Sequence, residues 1–246
     1  MELFISHIFF KENFLELDFV SKHFDGIELR GERLIKGYET FDFLKFQKKN
    51  IGTIVHSNFE NIDISSSNEW ERVKSVREVE KTIPIAKKLN SMYVVVHPSG
   101  KLKDVRSREE SLKNSLKSLL EIKETAKIFN VELLVENLPS GYLGSDELEL
   151  KYFVDKGFKL CFDFGHSLLT FKNPLETVEK FKDYIKVLHL HSNDRKSDKH
   201  DFVKVDFDMY KEVMGKMSDD IVVVIETNEE KKDNVMEFLN GYPYKK

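Results

Sequence analysis

Three of the eight histidines of this chain lie within sixteen residues, in the stretch VLHLHSNDRKSDKHDF at 187–202. Three aspartates lie in the same stretch, so imidazole and carboxylate groups follow one another closely. These two groups bind metal ions, and they also act as general acids and bases. A solvated charged loop would have a similar composition and no chemistry. The other residues that the fold brings to the same place decide between the two interpretations.

Eight short apolar runs divide the sequence. They are rich in Val, Ile and Leu without strict alternation, which is typical of parallel strands covered on both faces. We predict strands at 3–9, 26–30, 52–56, 92–97, 131–136, 158–163, 185–191 and 221–226. The histidine-rich stretch therefore begins in the seventh predicted strand and continues as a polar loop.

Amphipathic segments separate the predicted strands. Residues 111–129 form the clearest one, with leucine and isoleucine at helical spacing. The pattern over 69–89 also predicts a helix, and Pro84 predicts a kink in it. A further helix is predicted over 173–184, with Asn173 as its N-cap.

Eight strand–helix units in a row predict an α/β protein with a single (β/α)8 TIM-barrel domain spanning 1–246, because such barrels need about 250 residues. The alternative is an open, doubly wound sheet. That fold usually carries a glycine-rich phosphate loop after its first strand, and the sequence has no such loop there. We therefore predict the closed barrel.

The overall composition disfavours several classes of protein. The net charge is −4, from 39 basic and 43 acidic residues, whereas a general nucleic-acid binder is usually basic. Without an apolar run of about 18 residues or a signal-peptide pattern, we expect neither a membrane span nor a membrane partner. The single cysteine, Cys161, excludes an intramolecular disulfide and suits a reducing cytoplasm. We expect a cytoplasmic monomer, because no coiled-coil pattern indicates an oligomer.

Metal-competent side chains end six consecutive predicted strands, from the third to the eighth. These residues are His56, His97, Glu136, Asp163, His191 and Glu226. His166 follows three residues after Asp163, and Asp198 and His200 follow the seventh strand. Active sites of TIM barrels lie at this carboxyl end of the strands. We therefore expect nine ligand-type side chains to converge on one rim.

A metal site explains this convergence better than nine separate structural roles do. A single histidine or glutamate at a strand end is more often a hydrogen-bonded structural residue. Nine such groups on one rim are costly to bury unless they are paired or bound to metal. Imidazole and carboxylate ligands without a thiolate suit Zn²⁺, with Mn²⁺ or Fe²⁺ as alternatives. Because nine ligands exceed the needs of one ion, we predict two or three ions, bridged by Glu136 and Glu226.

His189 competes with His191 for the place of the ligand from the seventh strand. The two side chains share a face, because side chains alternate along a strand. We favour His191, since Asp194 follows three residues later and is placed to orient its ring. His189 is then assigned a packing or supporting role, although the sequence leaves the choice open.

Seven short motifs occur in the order of the strands that they follow. They are HSNF at 56–59, HPSG at 97–100, VENLPSG at 135–141, DFGH at 163–166, HSND at 191–194, DKH at 198–200 and IET at 225–227. Together they resemble the xylose-isomerase-like TIM-barrel superfamily (AP endonuclease family 2), which includes the endonuclease IV group and many sugar or sugar-phosphate isomerases and epimerases. The resemblance covers the chain from about the second strand to the eighth.

The resemblance to endonuclease IV implies a trinuclear zinc site and hydrolysis of the phosphodiester 5′ to an abasic site in DNA. Glu136 would bridge two ions and help to activate the attacking water. One ion would be held by His56 and His97. A second would be held by Asp163, His191 and Glu226, and the third by His166, Asp198 and His200.

Two functions fit these motifs. The first is an endonuclease IV-like phosphodiesterase acting on abasic-site DNA. Basic residues that follow the strands would then contact the phosphates, namely Arg30, Arg33, Lys101 and Arg195. The alternative is a metal-dependent sugar or sugar-phosphate isomerase or epimerase, in which Glu136 and Glu226 act as the acid–base pair.

Some local features of the sequence favour the first function, and others argue against one or the other. The sequence offers more ligand residues than one ion needs. This surplus favours the phosphodiesterase, which we place first. However, the first strand, FISHIFF, lacks the Gly-Ala-His-Val-Ser start typical of endonuclease IV, and VENLPSG lacks the lysine of the aldose isomerases. A barrel that has lost its chemistry and acts as a binding module is a third interpretation, which the complete ligand set disfavours.

Overall fold

Eight parallel strands form a closed barrel in the computed structural model, which describes residues 1–10, 16–37, 42–102 and 107–241. Each strand pairs with the next along the chain, and the last pairs with the first. The strands are β1 (Glu2–Ser6), β2 (Gly26–Arg30), β3 (Gly52–His56), β4 (Tyr93–Val96), β5 (Glu132–Glu136), β6 (Lys159–Asp163), β7 (Ile185–Leu190) and β8 (Val222–Ile225). The predicted (β/α)8 TIM barrel is confirmed, and every predicted strand overlaps an observed one.

Helices cover the outside of the barrel. They are α1 (Leu17–His23), α2 (Gly31–Lys36), α3 (Phe43–Lys49), α4 (Glu69–Glu80), α5 (Thr82–Lys88), α6 (Arg108–Phe129), α7 (Glu147–Asp155), α8 (Phe164–Thr170), α9 (Pro174–Phe181), α10 (Phe207–Gly215) and α11 (Lys232–Gly241). Among the helices in the described ranges, none combines the length and the apolar character that crossing a membrane requires.

Two of the helical predictions can be compared with the structure in detail. The helix predicted over 69–89 is two helices, because α4 ends at Glu80 and α5 begins at Thr82. The proline ring clashes with the carbonyl group four residues earlier, which places the break at Glu80 rather than at Pro84 itself. Asn173 caps α9 as predicted, since its side chain accepts a hydrogen bond from the backbone of Glu176.

The interior of the barrel is filled by an apolar layer at mid-height. Its buried residues are Phe4, Ile54, Val95, Leu134, Cys161, Val187, Val222 and Val224. Gly26 and Gly52 give the Phe4 ring its space, because a Cβ atom on either would lie 2.3 or 2.6 Å from Phe4 Cζ. Burying each large apolar side chain contributes about 1.5–3 kcal/mol. This layer is the solid floor on which the polar residues of the carboxyl end rest.

Candidate metal centre

Side-chain alternation along the strands places a polar layer directly above the apolar one. Every second residue of a strand points to the same side, so the residue two positions after an interior apolar residue also faces the interior. These successive residues are Ile54 and His56, Val95 and His97, Leu134 and Glu136, Cys161 and Asp163, Val187 and His189, and Val224 and Glu226. Six strands thereby aim a ligand-type group at the same end of the barrel.

The first of three ligand groups surrounds one oxygen of Glu136. Glu136 Oε2 lies 3.0 Å from His56 Nε2 and 3.2 Å from His97 Nε2. The other oxygen of the same carboxylate, Oε1, lies 3.6 Å from His166 Nδ1. Glu136 therefore faces two neighbouring groups, as a bridging carboxylate would.

The second group lies deeper and joins β6, β7 and the end of β8. His191 Nε2 lies 2.9 Å from Asp163 Oδ1, and both side chains are fully buried. Asp163, His191 and Glu226 each offer one ligand-type atom, and these three atoms lie within 4.8 Å of one another. Asp163 also caps α8, because its Oδ1 atom accepts a hydrogen bond from the backbone of His166 at 2.7 Å. The DFGH motif thus ties the start of α8 to the site.

The third group is nearest to solvent. Asp198 Oδ2 lies 3.1 Å from His166 Nε2 and 3.2 Å from His200 Nε2. His191 completes this group, with its Nδ1 atom 3.8 Å from Asp198 Oδ1. The structure therefore brings all nine predicted ligand residues together in three adjoining groups.

The donor set fits transition-metal ions. In the described part of the chain, His189 Nδ1, His200 Nδ1 and Glu226 Oε2 are buried atoms of the site without an aligned hydrogen-bond partner. Buried polar atoms are rarely left in this state, and an ion that accepts their lone pairs would satisfy them. Imidazole and carboxylate donors within 4.8 Å of one another can bind such an ion.

The histidines of the site hold protons more tightly than ordinary histidines do. Burial alone would lower the pKa of His56, but the hydrogen bond with Glu136 and the charge of nearby carboxylates raise it to about 9. Burial also lowers the pKa values of His166 and His200. Adjacent carboxylates outweigh it and raise the pKa of His166 to about 10 and that of His200 to about 9. Bound protons therefore balance the carboxylates wherever a metal ion does not.

Two further groups are already in the ionisation state of a ligand at neutral pH. Burial would raise the pKa of Glu226, but the charges of His200 and His189 lower it to about 2. Burial lowers the pKa of His97, and the Glu136 carboxylate only partly opposes it. Glu226 is therefore ionised and His97 is neutral, and both present free lone pairs.

Sequence reasoning missed Glu28 and underrated His189. Glu28 lies at the centre of β2, is 1% exposed, and is one of the residues that line the cavity above the site. His189 is completely buried and places its Nε2 atom 3.0 Å from Glu28 Oε1. The signal was available, because a glutamate within a strand covered on both faces is a buried charge that needs a partner.

The predicted support of His191 by Asp194 is wrong. Asp194 accepts hydrogen bonds from the backbone of Lys196 and Ser197 and lies 2.8 Å from Lys199 Nζ. The next residue, Arg195, has a left-handed backbone with a φ of 62°. The ring of His191 is held instead by Asp163 and by the tight approach of Gly165.

Gly165 leaves the space that the His191 ring occupies, and this yields a first prediction. A Cβ atom on Gly165 would lie 2.2 Å from His191 Cε1, so Gly165→Ala must displace the ring from Asp163. We expect metal affinity to fall by about 10–100-fold, as measured by competition with a chromophoric chelator. Gly215→Ala is the matched control, because a Cβ atom there meets nothing within 4 Å. Equal affinities in the two variants would contradict this assignment of Gly165.

An open cavity of about 650 Å³ lies above the three groups. Phe59, Leu138 and Tyr142 contribute apolar surface to it. Of the four predicted substrate-binding residues, Arg30 and Lys101 line this cavity, whereas Arg33 and Arg195 are not among its described lining residues.

The charges of two of these arginines are neutralised within the protein. Arg30 lies 3.0 Å from Glu60 and also pairs with Glu32. Arg195 pairs with Asp206 at 2.9 Å. Lys101 is exposed at the rim of the cavity.

Comparison with known proteins agrees with this geometry. The profile of the xylose isomerase-like TIM-barrel family matches residues 17–241. The chain belongs to this family. Its members share the barrel, so the predicted family resemblance is confirmed.

Individual relatives of this xylose isomerase-like barrel include proteins of known structure. The uncharacterized protein MJ1311 of Methanocaldococcus jannaschii is 33% identical over 161 residues, and this match covers 62% of the present chain and 54% of that protein. A D-tagatose 3-epimerase-like protein is 25% identical with a TM-score of 0.80, over 98% of this chain and 97% of the other. The 3-keto-D-glucoside 4-epimerase YcjR of E. coli is 14% identical, with a TM-score of 0.77, over 98% and 99% of the two chains, and shares the fold.

Proposed function

We propose that this chain is a metal-dependent sugar epimerase or isomerase in which Glu136 and Glu226 transfer a proton next to a carbonyl group. One observation carries the proposal. The two carboxylates approach the same atom, His189 Nδ1, at 3.7 and 3.2 Å, and both line the floor of the cavity. The 25% identity with a D-tagatose 3-epimerase-like protein over almost the entire chain supports it.

The two glutamates suit a reaction that uses two bases. Burial would raise the pKa of Glu136, but the adjacent His97, His189 and His56 hold it well below its ordinary value. With the similarly lowered pKa of Glu226, both carboxylates are ionised at neutral pH and each can accept a proton. One carboxylate removes the proton from a carbon next to the carbonyl group. The other, after taking up a proton from solvent, donates it to the opposite face and inverts that carbon, and the first then returns its proton to solvent.

Glu136, Asp163, His191 and Glu226 would hold the metal ion of this reaction. When bound, such an ion polarises the substrate carbonyl group as a Lewis acid. The protein supplies the rest: Phe59, Leu138 and Tyr142 provide apolar surface to the cavity, and the buried floor limits the access of water. We expect zinc, with manganese or iron as alternatives, because the ligands are imidazoles and carboxylates.

The cavity favours a small substrate over duplex DNA. Its volume of about 650 Å³ lies in the range of 300–1,000 Å³ that is typical of small-molecule sites. Binding of DNA depends on cations that are free to neutralise phosphates. Arg30 and Arg195 are instead paired with glutamate or aspartate side chains.

An endonuclease IV-like phosphodiesterase remains the second candidate. It is favoured by the groups around His56 and His97 and around Asp198 and His200, which exceed the ligands of a single ion. Two or three ions in these groups would suit displacement at phosphorus in an abasic-site DNA substrate. A test of the proposal should therefore include both kinds of substrate.

The proposal predicts epimerisation with incorporation of solvent hydrogen. We expect the zinc- or manganese-loaded protein to interconvert epimers of a ketohexose, with D-tagatose and the ketohexose phosphates as first substrates. In D₂O, each product molecule should carry one deuterium at the inverted carbon, because a carboxylate exchanges its proton with solvent. NMR of the products measures both the new epimer and its deuterium.

The same preparations are then tested on a duplex oligonucleotide that carries an abasic-site analogue. The absence of epimerisation and exchange on every sugar, in protein shown to hold metal, would contradict the epimerase proposal. A metal-dependent single nick in the oligonucleotide would then establish the second candidate.

A further inference from the structure

Glu28 and His189 form a buried pair to which the proposed reaction assigns no role. Glu28 is 1% exposed and His189 is 0% exposed, so neither charge is stabilised by solvent. His189 Nε2 lies 3.0 Å from Glu28 Oε1, within hydrogen-bond distance. β2 and β7 are not neighbours in the sheet, so this contact crosses the interior of the barrel.

The second nitrogen of the His189 ring faces the reacting carboxylates. Nδ1 lies 3.2 Å from Glu226 Oε2, an ion-pair distance without hydrogen-bond alignment, compared with 3.7 Å from both Glu136 Oε1 and Asp163 Oδ2. Because Nε2 is held by Glu28, the ring cannot rotate without losing that contact, and the direction of Nδ1 is therefore fixed. The closer contact is with Glu226 alone.

We propose that Glu28 and His189 are positioning residues that hold the Glu226 carboxylate toward the substrate while leaving Glu136 to be held by other groups. This inference rests on the proposed epimerase function. Glu136 is independently fixed, since its Oε2 atom contacts His56 and His97. Loss of the pair should therefore impair one base of the reaction and spare the other.

The asymmetry between the two bases can be measured. In D₂O, exchange of hydrogen in recovered substrate reports proton removal from each epimer separately. Because Glu226 is also a proposed ligand, the Glu226→Gln variant is assayed at saturating metal with its metal content measured. It then identifies the epimer whose proton Glu226 removes, because exchange from that epimer is lost. We expect Glu28→Met, which removes the acceptor at similar volume, to slow exchange from the same epimer by about 10–100-fold. Exchange from the other epimer should change by less than about threefold.

Two further variants separate positioning from general damage. Glu28→Gln keeps a side-chain oxygen that can accept from His189, and we expect it to restore most of the exchange. Glu132→Met is the matched control, because Glu132 is an exposed glutamate at the opposite end of a barrel strand. Metal content per chain, measured by mass spectrometry, should be unchanged in Glu28→Met, Glu28→Gln and Glu132→Met.

The outcomes distinguish this inference from the proposed function. Equal slowing of exchange from both epimers by Glu28→Met, or no slowing of either, overturns the positioning role while the wild-type protein remains an epimerase. Wild-type protein without epimerisation or exchange overturns the proposed function and this inference together. If Glu28→Met does not fold, His189→Gln provides the same comparison, since it removes the ring that spans the two carboxylates.

Discussion

Replacing Glu136 with glutamine is expected to lower kcat/KM for the sugar substrate by about 10³–10⁴-fold. Glu136 is one of the two proposed bases, and loss of a positioned base costs about 10²–10⁴-fold on its own. The same carboxylate contacts His56 and His97, so the variant also loses a ligand-type oxygen from that group. The initial rate of epimer formation, with metal content measured on the same sample, tests both effects.

Glu132→Gln is the control for this substitution. Glu132 begins β5 and is exposed. Glu132→Gln therefore makes the same substitution on the same strand but away from the site. We expect its activity to match that of the wild-type protein. A Glu136→Gln variant that retains more than about a tenth of the wild-type kcat/KM would show that Glu136 is not one of the two bases.

Metal binding to the metal-free protein is expected to release two to three protons at pH 7. The raised pKa values of His56, His166 and His200, at about 9, 10 and 9, mean that these rings are protonated below pH 9 when no ion is bound. An ion can bind an imidazole only after the proton leaves. Affinity should therefore rise with pH from about 6.5 to 9, by up to about tenfold per pH unit for each proton released.

Calorimetric titration of zinc in buffers with different ionisation enthalpies measures this number of protons. If the observed heat did not depend on the buffer, the rings would already be neutral and the expected release would be wrong. Mg²⁺, which binds imidazole poorly, is the control titrant. A Gly165→Ala sample gives a second comparison, because its affinity should fall without a change in the number of protons.

The same pKa values predict how the stability of the metal-free protein depends on pH. A histidine whose pKa is raised on folding contributes its full stabilisation below its unfolded pKa of about 6.5 and loses it as the pH rises through the folded value. The contribution of His56 and His200 should therefore disappear by about pH 9. The lowered pKa of Glu226 acts in the opposite direction, and its contribution is lost only as the pH falls toward about 2. Thermal unfolding midpoints of metal-free protein should fall between pH 6.5 and 9.5.

From the sequence we placed the phosphodiesterase before the epimerase or isomerase, and the comparisons favour the opposite order. The ligand count placed the phosphodiesterase first, because nine groups exceed the needs of one ion. The similarity to a D-tagatose 3-epimerase-like protein and the pairing of Arg30 and Arg195 favour the alternative. The position of a basic residue after a strand does not show whether its charge is paired with a carboxylate, because the partner comes from elsewhere in the chain.

Much of the fold and of the candidate site was determined by local patterns. The apolar runs and the helical spacing between them predicted the barrel, because burial on both faces demands that composition. Strand-end residues such as His56, Glu136 and Asp163 were found from the same runs. Alternation along a strand is a property of the backbone, so the sequence alone determines that His189 and His191 share a face.

Only the tertiary structure decided which of these side chains meet. The contact of Glu28 with His189 joins residues 161 positions apart on strands that are not neighbours, and it depends on the closure of the barrel. The paired state of Arg30 and the failure of Asp194 to reach His191 likewise depend on loop paths. Local sequence specifies the height and the face of a side chain on its own strand, whereas its partner across the barrel is set by the register of all eight strands together.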